Sequence, residues 1–286
     1  MRGRRAPLVS VVIPTFNRAQ PLLRAVASVL DQSYSRLQII VVDDASTDAS
    51  AALLVKHFGN RIELLRLPRN RGVSYARNRG IAFSRGDFIA LLDSDDLWSP
   101  EKIARQLAFM REDPELLLSQ TDEIWIRDGR QVNPRFRHRK PSGYIFAECL
   151  PLCVVSPSAV MMRRRFFARV GLFDENLPAC EDYDLWLRTA SRYPVPLLAE
   201  KLVVKHGGHA DQLSRTVPAL DRYRIQALLK VLHSGTLTKA QREMALAVLQ
   251  EKSAVYLAGC RKRGRQAEIY QLQQALRDVA EPASKA

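Results

Sequence analysis

The chain has 286 residues, 47% of them hydrophobic and 26% charged, and its 44 Lys+Arg against 30 Asp+Glu leave a formal charge of +14 at neutral pH. This balance excludes a disordered chain, and four cysteines (Cys149, Cys153, Cys180, Cys260) are too few for a disulfide scaffold of this length. No apolar run approaches the roughly 20 residues of a membrane-spanning helix. The cysteines are expected to be reduced thiols in a cytoplasmic protein. MRGRRAPLVSVVIPTF begins basic, as a signal peptide does, but lacks the longer apolar stretch and the small-residue cleavage site, so it reads as a first strand behind a basic arm. The excess positive charge leaves open nucleic acid, an anionic membrane surface or a phosphate-bearing substrate.

Val9–Ile13 is a β-branched run ending at Pro14, and Ala19–Gln32 places Leu22, Leu23, Val26, Val29 and Leu30 at helical spacing behind Asn17, an expected N-cap. Leu37–Val42 is continuously apolar, as a strand buried on both faces should be, and ends in Asp43-Asp44. A helix follows over Ala49–Phe58, with Ser46 and Asp48 as the better caps. Ile62–Leu67 reads as a strand, Val73–Phe83 as a helix, and Phe88–Leu92 as a strand that runs into Asp93-Ser94-Asp95-Asp96. Pro100 is expected to open, as N1, a helix reaching about Met110. Such alternation with short links predicts an α/β fold, a doubly wound and mostly parallel sheet. In such sheets ligands bind beyond the carboxyl ends of the strands. Thr15-Phe16-Asn17, Asp43-Asp44 and Asp93 to Asp96 all follow strands, so they are expected along one rim.

After Pro114 the rhythm changes. Leu116–Ile126 reads as a strand, and Gly129–Pro141 as a loop with Arg130, Arg135, Arg137, Arg139, Lys140 and no acid. Ala159–Met162 is a short strand, followed by a short helix at Arg163-Arg164-Arg165 and an amphipathic helix from about Cys180-Glu181-Asp182. Val195–Val204 returns as a strand and breaks at His206-Gly207-Gly208-His209. From Leu220 to about Ala280 the pattern is helical, with a break at Gly264.

If Asp93-Ser94-Asp95 is extended, residues two apart point the same way and both carboxylates face one point. Carboxylates so placed repel unless a divalent cation lies between them, and carboxylate oxygens with substrate phosphates are the usual surroundings of Mg²⁺ or Mn²⁺. The plainer reading is an acidic loop at a helix start. Asp44, at another strand end, can accept hydrogen bonds from a base imide or a ribose hydroxyl; helix capping is again the alternative. Asn70-Arg71-Gly72 leads into a helix carrying Arg77, a residue able to fork onto phosphate. Glu181-Asp182 reads either as an acidic first turn or as a general base exposed at a helix start. His206 and His209 flank two glycines, a spacing that suggests metal ligation only weakly.

Five motifs stand in one order: Val9–Arg18 (VSVVIPTFNR), Val41–Asp48 (VVDDASTD), Asn70–Ile81 (NRGVSYARNRGI), Leu91–Asp96 (LLDSDD) and Glu181–Arg188 (EDYDLWLR). Together they resemble the family 2 glycosyltransferases of the GT-A fold over about residues 8–215. The resemblance implies an inverting transferase using a nucleotide-sugar, most often a UDP-sugar, with Mn²⁺ or Mg²⁺. By position it implies that Pro14 and Thr15 line the nucleotide pocket, Asp44 meets the base and Arg77 lies at the nucleotide end of its helix. Asp95 would hold the metal and Asp93 ribose or metal, with Asp96 able to substitute for either. Asp182 would be the catalytic base oriented by Glu181, and His209 a further support of metal and diphosphate. It implies a Rossmann-like GT-A sheet with a nucleotide-sugar half over 1–115, an acceptor and catalytic half over 116–218, and a helical extension over 219–286. The Q-x-x-R-W element of processive synthases appears only as Gln212-Leu213-Ser214-Arg215-Thr216. With no membrane helix, that departure points to transfer of a single sugar, in assembly of lipopolysaccharide, capsule or exopolysaccharide.

Two other classes share single features with this chain. Haloacid-dehalogenase-type phosphatases also place two aspartates two apart after a strand, but their motif wants Thr or Val where Leu97 stands, and it usually lies near the chain start. A non-catalytic nucleic-acid-binding module would suit the 130–140 loop and Arg261-Lys262-Arg263-Gly264-Arg265, yet no such fold signature is present, and no nucleic acid is expected as partner. With the acids gathered on one rim, the basic excess falls elsewhere, including 12 basic against 6 acidic residues over 219–286. This suggests peripheral attachment to the anionic inner leaflet, where a glycan or lipid-linked acceptor would wait. The terminal helices would pack on the catalytic domain, pair two chains as a homodimer or lie on the membrane.

Overall fold

The computed structural model describes residues 6–133, 138–209 and 212–280. The N-terminal basic arm (residues 1–5) and Arg135 and Arg137 of the basic loop lie outside the described residues. The first half alternates as the pattern predicts: β1 (Val9–Thr15), α1 (Ala19–Leu30), β2 (Leu37–Asp43), α2 (Ser50–Phe58), β3 (Glu63–Arg66), α3 (Val73–Phe83) and β4 (Phe88–Leu91). Then come β5 (Leu97–Trp98), α4 (Lys102–Glu112), β6 (Leu118–Arg127), β7 (Arg130–Val132), α5 (Phe146–Cys149), β8 (Val160–Arg163), α6 (Arg165–Val170), α7 (Glu181–Ala190) and β9 (Leu197–Gly207). The chain continues through α8 (Leu213–Thr216), α9 (Asp221–His233), α10 (Lys239–Lys262) and α11 (Gln266–Ala280).

The strands form one sheet in the order β3-β2-β1-β4-β8-β6-β9-β5, with β7 added beside β6. β3, β2, β1 and β4 are mutually parallel; β8 runs against β4 and β6, and β9 is parallel to β6. The sheet therefore continues across residue 115, where the strand pattern changes from parallel to mixed.

Burial on both faces explains the unbroken apolar runs. In β1, Val9, Val11 and Ile13 join one core with Leu22, Val26, Ile103 and Leu107, while Val12 faces a second core with Ala76, Ile81, Leu185 and Trp186. The period of two along the strand thus separates an α1/α4 side from an α3/α7 side. At Gly80 a Cβ would collide with the Val12 side chain, so the bare helix surface lets α3 sit directly on β1. α9, α10 and α11 extend the second core through Ile225, Leu228, Val231, Leu249, Leu257, Ile269 and Leu272. A capping box between Thr238 and Gln241 starts α10, and Gln241 Nε2 also donates to Ser191 O at 3.0 Å, tying that cap to the end of α7.

Four local expectations differ from the structure. Asn17 does not cap α1 with its side chain; it has φ 50°, and its Oδ1 accepts from the Thr47 and Asp48 amides at 2.8 and 3.3 Å. Pro100 precedes the helix rather than opening it, since α4 starts at Lys102. Arg130–Val132, expected within the basic loop, is strand, because it folds back on Trp125–Arg127 of β6. The terminal helices break at Ser234-Gly235 as well as at Gly264.

Candidate active site

The rim forms as the strand ends require. Thr15 and Asp43 are paired across β1 and β2, and the following loops are laced together, with the Asn17 amide on Ser46 Oγ at 2.9 Å and the Arg18 amide on Ser50 Oγ at 3.2 Å. Asp48 Oδ1 accepts the Ser50 amide at 2.9 Å just ahead of α2, but the N-cap of that helix is Ala49 without a side-chain cap and Ser46 Oγ is taken by the Asn17 amide, so neither expected residue stands at the cap. Three non-glycine residues with positive φ, Asn17 (50°), Ala45 (63°) and Cys180 (61°), lie beside the expected site residues. Such backbone costs about 1–3 kcal/mol apiece and collects where surrounding structure holds it for a purpose.

Asp93-Ser94-Asp95 is not extended. The Asp96 amide donates to Asp93 O at 3.1 Å, which closes a turn and sends the two carboxylates apart. Asp93 Oδ1 meets Arg77 Nη2 at 2.7 Å, whereas Asp95 Oδ2 meets Arg18 Nη1 and lies 2.9 Å from His209 Nε2. Asp96 is not free to replace either. It is buried, accepts from Ser158 Oγ at 2.6 Å and from the His206 amide at 2.9 Å, and burial pushes its carboxyl well above the ordinary carboxylate range. Ser158 Oγ also accepts the Asp93 amide at 3.0 Å, so one serine and one aspartate fasten the turn to β9.

Arg77 differs from its expected role on phosphate. Its guanidinium is buried and forks onto two carboxylates, Asp93 through Nη2 and Glu181 Oε1 through Nη1 at 2.6 Å, with Phe173 beneath it at 5.1 Å. The two anions hold Arg77 more firmly charged than usual although burial opposes them. Glu181 is pushed up to about 7 by burial and by neighbouring Asp182, with Arg77 pulling the other way. Asp182, in the first turn of α7, accepts the Tyr183 amide at 2.7 Å on Oδ1 and the Cys153 thiol at 3.3 Å on Oδ2.

Asp44 is 3% exposed, and each of its oxygens takes one amide, from Arg71 at 2.8 Å and Gly72 at 2.7 Å. It thereby fixes the loop that opens α3. Burial raises its carboxyl despite those amides. Pro14 and Thr15 lie inside β1, and Thr15 Oγ1 is buried without a hydrogen-bond partner. Phe16, placed on the rim by sequence but given no role there, is a 44% exposed aromatic directly after them. Arg18, Ser158 and Lys205 carry no sequence signal of a site role. The Lys205 ammonium bonds Ser156 Oγ at 3.2 Å and is held charged by Glu123, Asp96, Asp93 and Asp182. Only the fold brings these partners within reach.

A groove of about 890 Å³ adjoins Asp95, bordered by Arg18, Gln20, Arg24, Asp128, His206 and His209. Asp95 and His209 bring one oxygen and one nitrogen together, while Asp93 is turned to Arg77, so the expected trio is not assembled. Among the described residues no three His, Cys, Asp or Glu side chains form a metal cluster. This donor pair fits an ion that completes its shell with substrate phosphates, as Mg²⁺ and Mn²⁺ do, better than a closed structural site. All four cysteines are free, and burial pushes the Cys149 and Cys180 thiols up to about 12.

A mixed sheet with a D-x-D turn after its fourth strand, bridged by an arginine to an acidic helix start, defines a glycosyltransferase of the GT-A architecture. Residues 10–171 match the family model described as Glycosyl transferase family 2, and the chain belongs to that family. An uncharacterized glycosyltransferase of Rickettsia felis is 35% identical over 222 residues, which cover 74% of this chain and 36% of the relative. The putative teichuronic acid biosynthesis glycosyltransferase TuaG of Bacillus subtilis is 31% identical over 183 residues, 63% of this chain and 71% of the relative. The chain thus spans about a third of the length of the first Rickettsia relatives it matches. Among solved structures, S. aureus TarS 1–349 in complex with UDP-GlcNAc aligns with TM-score 0.69 at 17% identity, over 95% of this chain and 79% of that one. The mannosyltransferase PcManGT of Pyrobaculum calidifontis, in complex with GDP-Man and Mn²⁺, aligns with TM-score 0.59 at 18% identity, over 97% and 87%. At these identities the structural likeness shows the fold.

Proposed function

We propose that the chain is an inverting, divalent-metal-dependent glycosyltransferase that moves one sugar from a UDP-sugar to a hydroxyl of a cell-surface glycan under assembly. The observation that carries this reading is the Arg77 bridge, which brings Asp93 at the end of β4 and the Glu181-Asp182 start of α7 into one constellation. The TuaG likeness and the nucleotide-sugars held by TarS and PcManGT support the polysaccharide and donor classes.

In this reading Pro14, Thr15, Phe16 and Asp44 shape the nucleoside end, and Asp95 and His209 would hold Mn²⁺ or Mg²⁺. When bound, the ion offsets the negative charge that grows on the leaving nucleoside diphosphate. Asp182 takes the proton from the acceptor hydroxyl. Its carboxylate is aimed by the Tyr183 amide and the Cys153 thiol, while Glu181 and Arg77 fix the helix start behind it. A base on the face opposite the leaving group makes one in-line displacement sufficient, which inverts the anomeric centre.

The test is Asp182→Asn in a screen of nucleotide-sugars with Mn²⁺, reading release of nucleoside diphosphate beside calorimetry of UDP. The expected outcome is loss of turnover by a hundredfold or more with UDP affinity unchanged. Turnover near the unsubstituted level would sink the assignment of the base, and phosphate release without sugar transfer would favour a phosphatase.

A further inference from the structure

The basic excess has a focus at the turn between α10 and α11. Residues 255–270 hold four basic residues and one acid. Arg261, Lys262, Arg263 and Arg265 are all exposed. Arg263 reaches back to Gly259 O at 3.0 Å and Arg265 leans on Glu268 at 3.3 Å. Arg261 and Lys262 lie in the last turn of α10, where complementing the helix dipole accounts for them. Arg263 and Arg265 lie beyond that turn, so the dipole does not explain the full set. Tyr270, 71% exposed and one turn into α11, and Val255, 63% exposed on α10, supply apolar area on the same helical hairpin.

Contacts elsewhere on α9 and α10 reach the neighbourhood of the proposed base. Exposed Arg222, at the start of α9, is among the cations facing Glu268. Its neighbour Asp221 pairs with Arg224 at 3.0 Å and with Lys252 at 3.7 Å. Lys252 donates to Pro151 O at 2.9 Å, beside Leu150, whose carbonyl accepts the Tyr183 hydroxyl at 2.5 Å. Leu220 O receives the Cys180 thiol at 3.8 Å, directly before Glu181-Asp182. Contacts therefore run from the start of α9 and the middle of α10 to the start of α7. No helix among the described residues is long and apolar enough to cross a membrane, so attachment through this part of the chain would be to a surface.

We propose that the α10–α11 turn docks on an anionic lipid bilayer, bringing the transferase to the surface where a lipid-linked acceptor would lie. The acceptor half of this statement rests on the transferase reading; the docking half does not. Lys and Arg near an anionic leaflet each strengthen partitioning about fivefold, while exposed tyrosine suits the headgroup layer.

The test is co-sedimentation of the full chain with phosphatidylcholine vesicles, with and without phosphatidylglycerol, at physiological salt. The chain is expected to sediment only with the anionic vesicles. The triple variant Arg261→Glu, Lys262→Glu, Arg263→Glu is expected to bind on the order of a hundredfold more weakly. The variant Lys56→Glu, Lys201→Glu, Lys239→Glu makes the same change of net charge on other exposed lysines and is expected to lose far less. Equal sedimentation with both vesicle types, or equal loss in the two triple variants, would overturn the docking surface. Salt-sensitive binding of a random RNA oligonucleotide that is abolished in the first variant, with no vesicle binding in the unsubstituted chain, would show the patch to be a nucleic-acid site instead. Because vesicle binding needs no donor, failure of the transferase reading leaves this measurement interpretable. Urea unfolding of both variants reports whether the fold is intact, independently of any donor.

Discussion

Replacing Arg77 by Met keeps much of the side chain's apolar bulk but removes the charge shared by Glu181 and Asp93. Breaking a buried ion pair by deleting one partner typically costs about 3–5 kcal/mol because the other charge stays behind. Asp93 is 27% exposed, so water takes over part of its solvation and most of the penalty falls on Glu181, whose side chain is 6% exposed. A glutamate can escape that penalty by keeping its proton, which makes the cost depend on pH. With its folded pKa raised to about 7 against an ordinary 4.5, Glu181 stabilises the fold fully below 4.5, and this contribution is lost as pH rises through about 7. Above that point the unsubstituted protein binds no more protons folded than unfolded at this group, and its stability levels off. Without Arg77 the carboxyl rises further, so the folded variant still holds a proton there that the unfolded chain has released. Stability of the variant then keeps falling by about 1.4 kcal/mol per pH unit. Between pH 7 and 8.5 the gap between variant and parent should widen by about 2 kcal/mol. Urea unfolding at pH 5.5, 7 and 8.5 measures it, and Arg77→Met with Glu181→Gln should remove the widening, since a neutral amide has no proton to keep. A gap constant within about 0.5 kcal/mol from pH 5.5 to 8.5 would refute the reasoning.

Lys102 is fully buried, its ammonium has no hydrogen-bond partner, and it sits 3.8 Å over the Trp98 ring. Burial, with Lys140 adding to it, holds its pKa well below the ordinary 10.5. Lys102→Met should stabilise the fold by about 1–3 kcal/mol in urea unfolding near neutral pH. The gain should shrink as pH rises towards 10.5, because the unfolded lysine binds more protons than the folded one until then. Ala45→Gly relieves the φ of 63° at a small entropic cost, for a net gain of about 0.5–1 kcal/mol, read as a raised urea midpoint with unchanged slope. Asp95→Ala should weaken UDP binding tenfold or more in Mn²⁺ and little in its absence, by calorimetry; equal affinities in both proteins under both conditions would count against the metal assignment.

Much of the sheet was legible because β1, β2 and β4 are buried on both faces, which leaves continuous apolar runs, and because chain turns after them collect polar residues. The α3 boundaries, Val73–Phe83, coincide with those read from periodicity. Much of what the sequence left unread depends on distance along the chain. β5 has two residues and exists only because β9 offers it an edge, and Asn17 spends its side chain on a loop thirty residues away rather than on its own helix. The expected convergence of Asp93 and Asp95 assumed extended backbone. A single Asp96–Asp93 hydrogen bond turns the chain there, and each carboxylate then follows its own arginine. No spacing rule announces that Arg77 will meet Glu181, 104 residues later.

That separation bears on how the site comes into being. β1 to β4 can associate through neighbouring contacts, but the carboxylate of Glu181 arrives only when α7 docks, and closing so long a loop costs entropy that nearby contacts do not repay. A partly folded chain with the first four strands in place would hold the Arg77 guanidinium against Asp93 alone. The constellation is therefore complete only once α7 has docked, and donor binding that needs it would report on that docking rather than on the assembly of the first four strands.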